Sequence, residues 1–221
     1  MLPLGISSLT ASAKSTPDSA ETDEVAALKK ENEKLTEYFK ISHKNRDYKL
    51  VPAEVIARNA YDDFGAFSIG VGSSDGVKAG DAVITENGLI GQVTRAEPVT
   101  AYVTTVLSPS LNVGAADKQS GDRGVVCGTA GLSDKNQTAL KLVDENNKIK
   151  KGDLITTLGT GGVYPESLII GRVASVEQDM FDSSPYAVIE PYENIKSVES
   201  VAVITDFSGR GEINAKNQQS H

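Results

Sequence analysis

Two hydrophobic periods divide this chain. In the segment 19–45, Val25, Leu28, Asn32, Leu35 and Phe39 recur at alternating steps of three and four, the a/d seam of a heptad repeat. Acidic Glu21, Asp23 and Glu24 sit in the first helical turn, where they suit the helix dipole. Charged residues from Glu24 to Glu37 fill the other faces. Asn32 takes an a position, where asparagine fixes a parallel two-stranded register at some cost in stability. So narrow an apolar seam suits a partner helix better than a broad core. Dimerisation through Val25, Leu28, Asn32, Leu35 and Phe39 is therefore expected; a helix lying on its own domain with Asn32 exposed is the alternative. Two and a half heptads are marginal alone, so a longer coil upstream is also expected.

From Lys49 onward the period falls to two. It predicts strands over 51–58, 66–71, 82–85, 89–95, 101–107, 112–116 and 124–127, then 139–143, 153–157, 167–177, 185–190 and 197–205. Turn signals separate them: Ser74-Asp75-Gly76, Glu86-Asn87-Gly88, Asn146-Asn147 and Gly161-Gly162. Asn87-Gly88 between apolar runs is the strongest hairpin signal of the chain. No helix-length segment intervenes, so the sheets are expected to be antiparallel and to close on themselves. The predicted fold class is mainly β: two tandem small antiparallel β-barrels preceded by an N-terminal α-helical coiled-coil segment. The expected divisions are a disordered leader at 1–18, the coil at 19–45, a first barrel at 49–120, a second at 121–206 and a disordered tail at 207–221. Whether the closing strands return to the first barrel stays open.

The two strand series are copies of one unit. GVKAGDAVITENGLIGQVTRAEP begins at Gly76 and KIKKGDLITTLGTGGVYPESLIIGRVASVEQ at Lys148. Each carries a basic residue, Gly-Asp, a strand, a turn, and a strand containing Ile-Gly-Gln/Arg-Val. Gly80 and Gly152 are expected to supply a positive-φ bend, with Asp81 and Asp153 holding it by bonding the local backbone. Gly91 and Gly171 fall inside strands, where a missing side chain permits sharp coiling at a barrel corner. The glycine-rich run Thr157–Glu166 is then the lengthened hairpin of the second copy. Tyr164 is expected either to plug its own barrel or, with Pro165, to contact a partner.

Composition narrows the chemistry. A net charge of −8 with no offsetting basic cluster argues against nucleic acid as a partner. Cys127 is the single cysteine, in an apolar run, and reads as a buried small hydrophobe. A phosphate cradle needs glycines opening a helix; after Gly162 come Val163, Tyr164, Pro165 and a strand. A trypsin-like two-barrel protease needs a histidine base between the barrels, and the histidines are His43 and His221. Two histidines and one cysteine, widely separated, give no zinc spacing, and scattered Asp179, Asp182 and Asp206 give no calcium loop. No catalytic residue, cofactor site or metal site is expected. A barrel module binding a small ligand or wall fragment is the alternative function.

The chain resembles the rod shape-determining MreC family over roughly 24–205. The resemblance rests on PAEVIARN at Pro52, IGVGSSDGVKAGDAVITENGLIGQV at Ile69, LSPSLNVGA at Leu107, DRGVVCG at Asp122, GDLITTLGTGGVYPESLIIGRV at Gly152 and IEPYENIKSVESVAVI at Ile189. Tyr164 stands where the family commonly has Phe. The resemblance implies a non-enzymatic scaffold of the cell-elongation machinery, organising peptidoglycan synthesis and rod shape. It implies a homodimer or larger assembly, with MreD, a penicillin-binding transpeptidase and, indirectly, actin-like MreB as partners. It also implies a cell-membrane protein, single-pass, with this portion extracytoplasmic and its transmembrane helix missing from the chain as given. Edges of incompletely closed barrels are expected to offer strands to partners.

Overall fold

The computed structural model describes residues 29, 47–142, 146–179 and 184–211. The chain divides into a unit at Met1–Thr36 and a unit at Glu37–His221. In the first unit Lys29 is helical and exposed. The expected seam of Val25, Leu28, Asn32, Leu35 and Phe39 lies outside the described residues.

The second unit contains twelve described strands: β1 (Lys49–Arg58), β2 (Phe67–Ile69), β3 (Ala82–Thr85), β4 (Gly88–Ala96), β5 (Ala101–Thr105), β6 (Asn112–Asp117), β7 (Arg123–Cys127), β8 (Thr138–Leu142), β9 (Leu154–Leu158), β10 (Glu166–Gln178), β11 (Pro185–Glu190) and β12 (Ser200–Asp206). They form two closed barrels, in the orders β1-β12-β3-β4-β5-β2 and β10-β11-β8-β7-β6-β9. Every pairing is antiparallel.

Closure depends on long strands that change partners halfway. β1 pairs with β12 over Lys49–Glu54 and with β2 over Val55–Arg58, with a register shift between Val55 and Ala57. β10 does the same, meeting β9 up to Arg172 and β11 from Arg172 onward. Such bulges bend a strand enough to carry it around a barrel corner. The expectation of incompletely closed barrels with free edges is corrected: both barrels close.

The duplicated bend is duplicated in its bonds. Gly80 and Gly152 both have φ of 95°. The Gly80 N–H donates to the Val93 carbonyl at 2.8 Å, and the Gly152 N–H to the Val173 carbonyl at 2.8 Å. Each following aspartate accepts from the backbone three residues upstream: Lys78 N–H to Asp81 Oδ2 at 2.8 Å, and Lys150 N–H to Asp153 Oδ2 at 2.9 Å. Val77 and Ile149, which precede these bends, are buried in the core. The core strands alternate as the period-2 pattern requires; on β6, Val113, Ala115 and Asp117 are buried. Each fully buried valine or isoleucine contributes roughly 1.5–3 kcal/mol.

One expected boundary is corrected and one open question answered. β6 belongs to the second barrel, not the first, because it pairs with β7 and β9. The polar run after it resembles a linker but is a hairpin turn, tied by the Ser120 N–H to Asp117 Oδ2 at 2.6 Å and the Gly121 N–H to the Asp117 carbonyl at 3.0 Å. β12, whose barrel the pattern left open, pairs with β1 and β3. The first barrel is thus completed by a strand that follows the whole of the second.

The tail expected to be disordered from 207 holds structure as far as Gly211. Phe207 is buried in the core cluster. The Arg210 guanidinium donates to the Thr205 carbonyl and ion-pairs with Asp81, whose side chain is fully buried. The ion pair compensates the buried carboxylate and ties the segment to the first barrel.

Candidate interaction surface

The glycine-rich hairpin between β9 and β10 bends through three positive-φ residues, Gly159 at 68°, Gly161 at 94° and Gly162 at 62°. Its floor is fixed by Thr157, whose hydroxyl donates to the Pro165 carbonyl at 2.6 Å and accepts from the Leu168 N–H at 3.0 Å. This geometry turns Tyr164 and Pro165 inward: both are buried, Tyr164 at 7% exposure within the core cluster. They are therefore corrected as exposed partner contacts, since the bend that Gly161 and Gly162 permit closes them into the barrel. Val163, at 43%, is the exposed apolar residue of that loop. The Tyr164 hydroxyl is buried without a hydrogen-bond partner among the described residues, and burial pushes its ionisation well above the ordinary phenol value.

The barrels meet where the β3–β4 hairpin faces β10 and the chain that follows β11. A Cβ at Gly88 would overlap the Ile169 carbonyl oxygen, so glycine permits the close approach. Glu193 spans the junction. Its Oε2 accepts from Asn87 Nδ2 at 2.9 Å and from the Thr85 hydroxyl at 3.2 Å. The Glu193 carbonyl accepts from Asn136 Nδ2 at 2.8 Å, and Asn136 Oδ1 in turn accepts from the Ile195 N–H at 3.0 Å. Asn136 adopts φ of 56°, a conformation asparagine tolerates better than most residues. Arg58 packs over the Phe67 ring at 4.9 Å and donates to the Val198 carbonyl; desolvation pulls its pKa below the ordinary guanidinium value.

Elsewhere the outer surface carries aromatic groups stacked on arginines. Arg95 lies 4.1 Å from the Tyr102 ring centroid on the first barrel. Arg172 lies 5.5 Å from Tyr192 on the second, with a 3.1 Å bond from Nε to the phenol oxygen. Glu177 accepts from the hydroxyls of Tyr186 and Ser175, both at 2.7 Å. These bonds hold the Glu177 carboxyl below its usual range and, from the other side, raise the Tyr186 phenol.

Cys127 is half-buried rather than buried. It sits at the end of β7 with Sγ 3.5 Å from the Gly128 carbonyl and 3.7 Å from that of Pro109. Among the described residues no group of three His, Cys, Asp or Glu side chains is placed to hold a metal, and no helix is long and apolar enough to cross a membrane. Both histidines, His43 and His221, fall outside the described residues.

Sequence reasoning missed Glu193, Asn136 and Arg210. Glu193 and Asn136 act across separations of 106 and 57 residues, beyond any local pattern. Arg210 had one weak signal, a lone cation between Gly209 and Gly211 directly after a strand.

The arrangement of two closed six-stranded barrels, the first completed by the last strand, runs through the region matched by the family model for the rod shape-determining protein MreC, barrel core, over residues 55–205. The chain belongs to the MreC family. The cell shape-determining protein MreC of Listeria monocytogenes is 36% identical over 184 residues, 82% of this chain and 62% of that protein. A solved structure of MreC has a TM-score of 0.72 at 25% identity, covering 80% of this chain and 99% of the other. A complex between a penicillin-binding protein (PBP2) and MreC from Helicobacter pylori holds a chain with a TM-score of 0.56 at 14% identity, covering 72% of this chain and 99% of that one; at that identity the likeness is one of fold. The chain spans 62–64% of the length of these curated MreC relatives.

Proposed function

We propose that this MreC chain is the extracytoplasmic part of a non-enzymatic, membrane-associated scaffold that organises peptidoglycan synthesis and maintains rod shape. The observation that carries the reading is the family match running without a break from β1 to β12, through both barrels. The barrels supply rigid outer faces, and the heptad seam of Val25, Leu28, Asn32, Leu35 and Phe39 pairs two copies in parallel. A single transmembrane helix ahead of the coil holds the dimer at the cell membrane, and MreD and a penicillin-binding transpeptidase are its partners there. The fold shared with the Helicobacter pylori MreC in complex with PBP2 supports the transpeptidase as partner.

The test is a titration of this chain with the extracytoplasmic part of the penicillin-binding transpeptidase from the same cell. Scaffold contacts of this kind fall in roughly the micromolar range, so saturable binding is expected there. A flat titration to about 100 μM would contradict the partner assignment.

A further inference from the structure

The segment after β12 reaches both barrels, and three contacts define it. Phe207 is buried at the end of β12. Arg210 ion-pairs with Asp81 of the first barrel, whose side chain has no exposure. The Gly211 N–H then donates to the Gly162 carbonyl in the glycine-rich hairpin of the second barrel, at 3.3 Å. The hairpin is shaped for this approach: a Cβ on Gly162 would lie 2.5 Å from the Gly211 nitrogen and 3.0 Å from the Gly209 carbonyl oxygen. Gly161 has a larger positive φ but open space around it. Of these two glycines, then, Gly162 is the one that receives the segment.

We infer that Phe207–Gly211 is a strap that fixes the orientation of the second barrel against the first, held to the first by Arg210 on Asp81 and seated by the next residue, Gly211, on Gly162 of the second. The repeat supports the assignment. Asp153 occupies the same bend as Asp81 and makes the same backbone bond, while the guanidinium partner is found at Asp81. Asp81 thus carries a second task beyond holding its bend. With Glu193 bridging to Asn87 on the junction's other contact, the strap makes the two barrels present their outer faces at one angle. Any partner that lifted the strap would free that angle.

The experiment measures inter-barrel distances by paired spin labels at Ala57→Cys on β1 and Lys141→Cys on β8, both exposed, in a Cys127→Ser background. The parent chain is expected to give one narrow distribution. Gly162→Ala should broaden it, while Gly161→Ala, which carries the greater backbone strain but no clash, should leave it narrow. The pair Asp81→Asn with Arg210→Gln releases the anchor on the first barrel without altering the hairpin and should broaden it likewise. A narrow distribution in Gly162→Ala or in the charge-removed pair, or equal broadening in Gly161→Ala, would overturn the strap.

Discussion

Asp81 and Asp153, 72 residues apart in sequence, hold the same bend in two barrels, each with Oδ2 on the backbone N–H three residues upstream. They differ in what else they hold, because Asp81 also receives Arg210. Removing Asp81 breaks the pair with Arg210 as well as the bend's bond, and hydrogen bonds to charged groups contribute about 1.5–3 kcal/mol, whereas losing one ordinary hydrogen bond costs about 1 kcal/mol. Asp81→Ala is therefore expected to lower the denaturation midpoint further than Asp153→Ala. Equal losses in chemical denaturation would show that the ion pair contributes nothing.

Gly91 and Gly171 lie at matching barrel corners, where a Cβ would overlap the carbonyl oxygens of Thr104 and Glu190. Those oxygens belong to paired neighbouring strands and cannot swing aside as a side chain would. Either glycine to alanine should cost about 3 kcal/mol or more, through overpacking compounded by lost ladder bonds. Circular dichroism melts showing parent-like stability in either variant would refute the corner geometry.

Tyr164 buries a hydroxyl with no partner among the described residues, a cost of about 1–3 kcal/mol. Tyr164→Phe keeps the ring and removes the orphan group. It should raise stability by about 1 kcal/mol, readable as a higher melting temperature. A lower one would mean that the hydroxyl is satisfied after all.

Glu177 and Tyr186 titrate as a linked pair. Hydrogen bonds from Tyr186 and Ser175 depress the carboxyl, so whatever stability it lends is present above its unfolded pKa and fades as pH falls through the folded one. The phenol is raised, so its contribution holds below its unfolded pKa and is lost as pH rises through the folded one. Tyr186→Phe should move the Glu177 midpoint upward in a carboxyl NMR titration. No movement would remove the bond as the cause.

In the coil, Val25→Asp with Leu28→Asp places charges on the proposed seam. Light scattering should then report monomers in place of dimers. An unchanged mass would take these two residues out of the association.

The strands were legible because half-buried barrel strands write their burial as a period of two, and the repeat was legible because both copies need the same glycines. Gly80 and Gly152 answer a local backbone requirement, while Gly91 and Gly171 answer a close approach of the neighbouring strand and were legible through their matching places in the repeat. Barrel membership was not. The Asp117–Asp122 turn looks the same in sequence whether it links domains or two strands of one barrel, and only pairing with β9 decides. The same holds for Arg210, since an arginine in a polar tail becomes structural only through a buried carboxylate 129 residues away. Tyr164 was open between plug and contact because an aromatic beside proline suits both, and the direction of the Gly161-Gly162 bend turns it inward.

The central claim, that this chain scaffolds wall synthesis through its two barrels, is tested most directly by cell shape. The native gene would be replaced by one carrying Gly91→Ala or Gly171→Ala, and length-to-width ratios measured by microscopy beside the parent. The account predicts that rods become short and round although the protein is still made. Normal rods in cells whose barrels have been shown to be disrupted would contradict it.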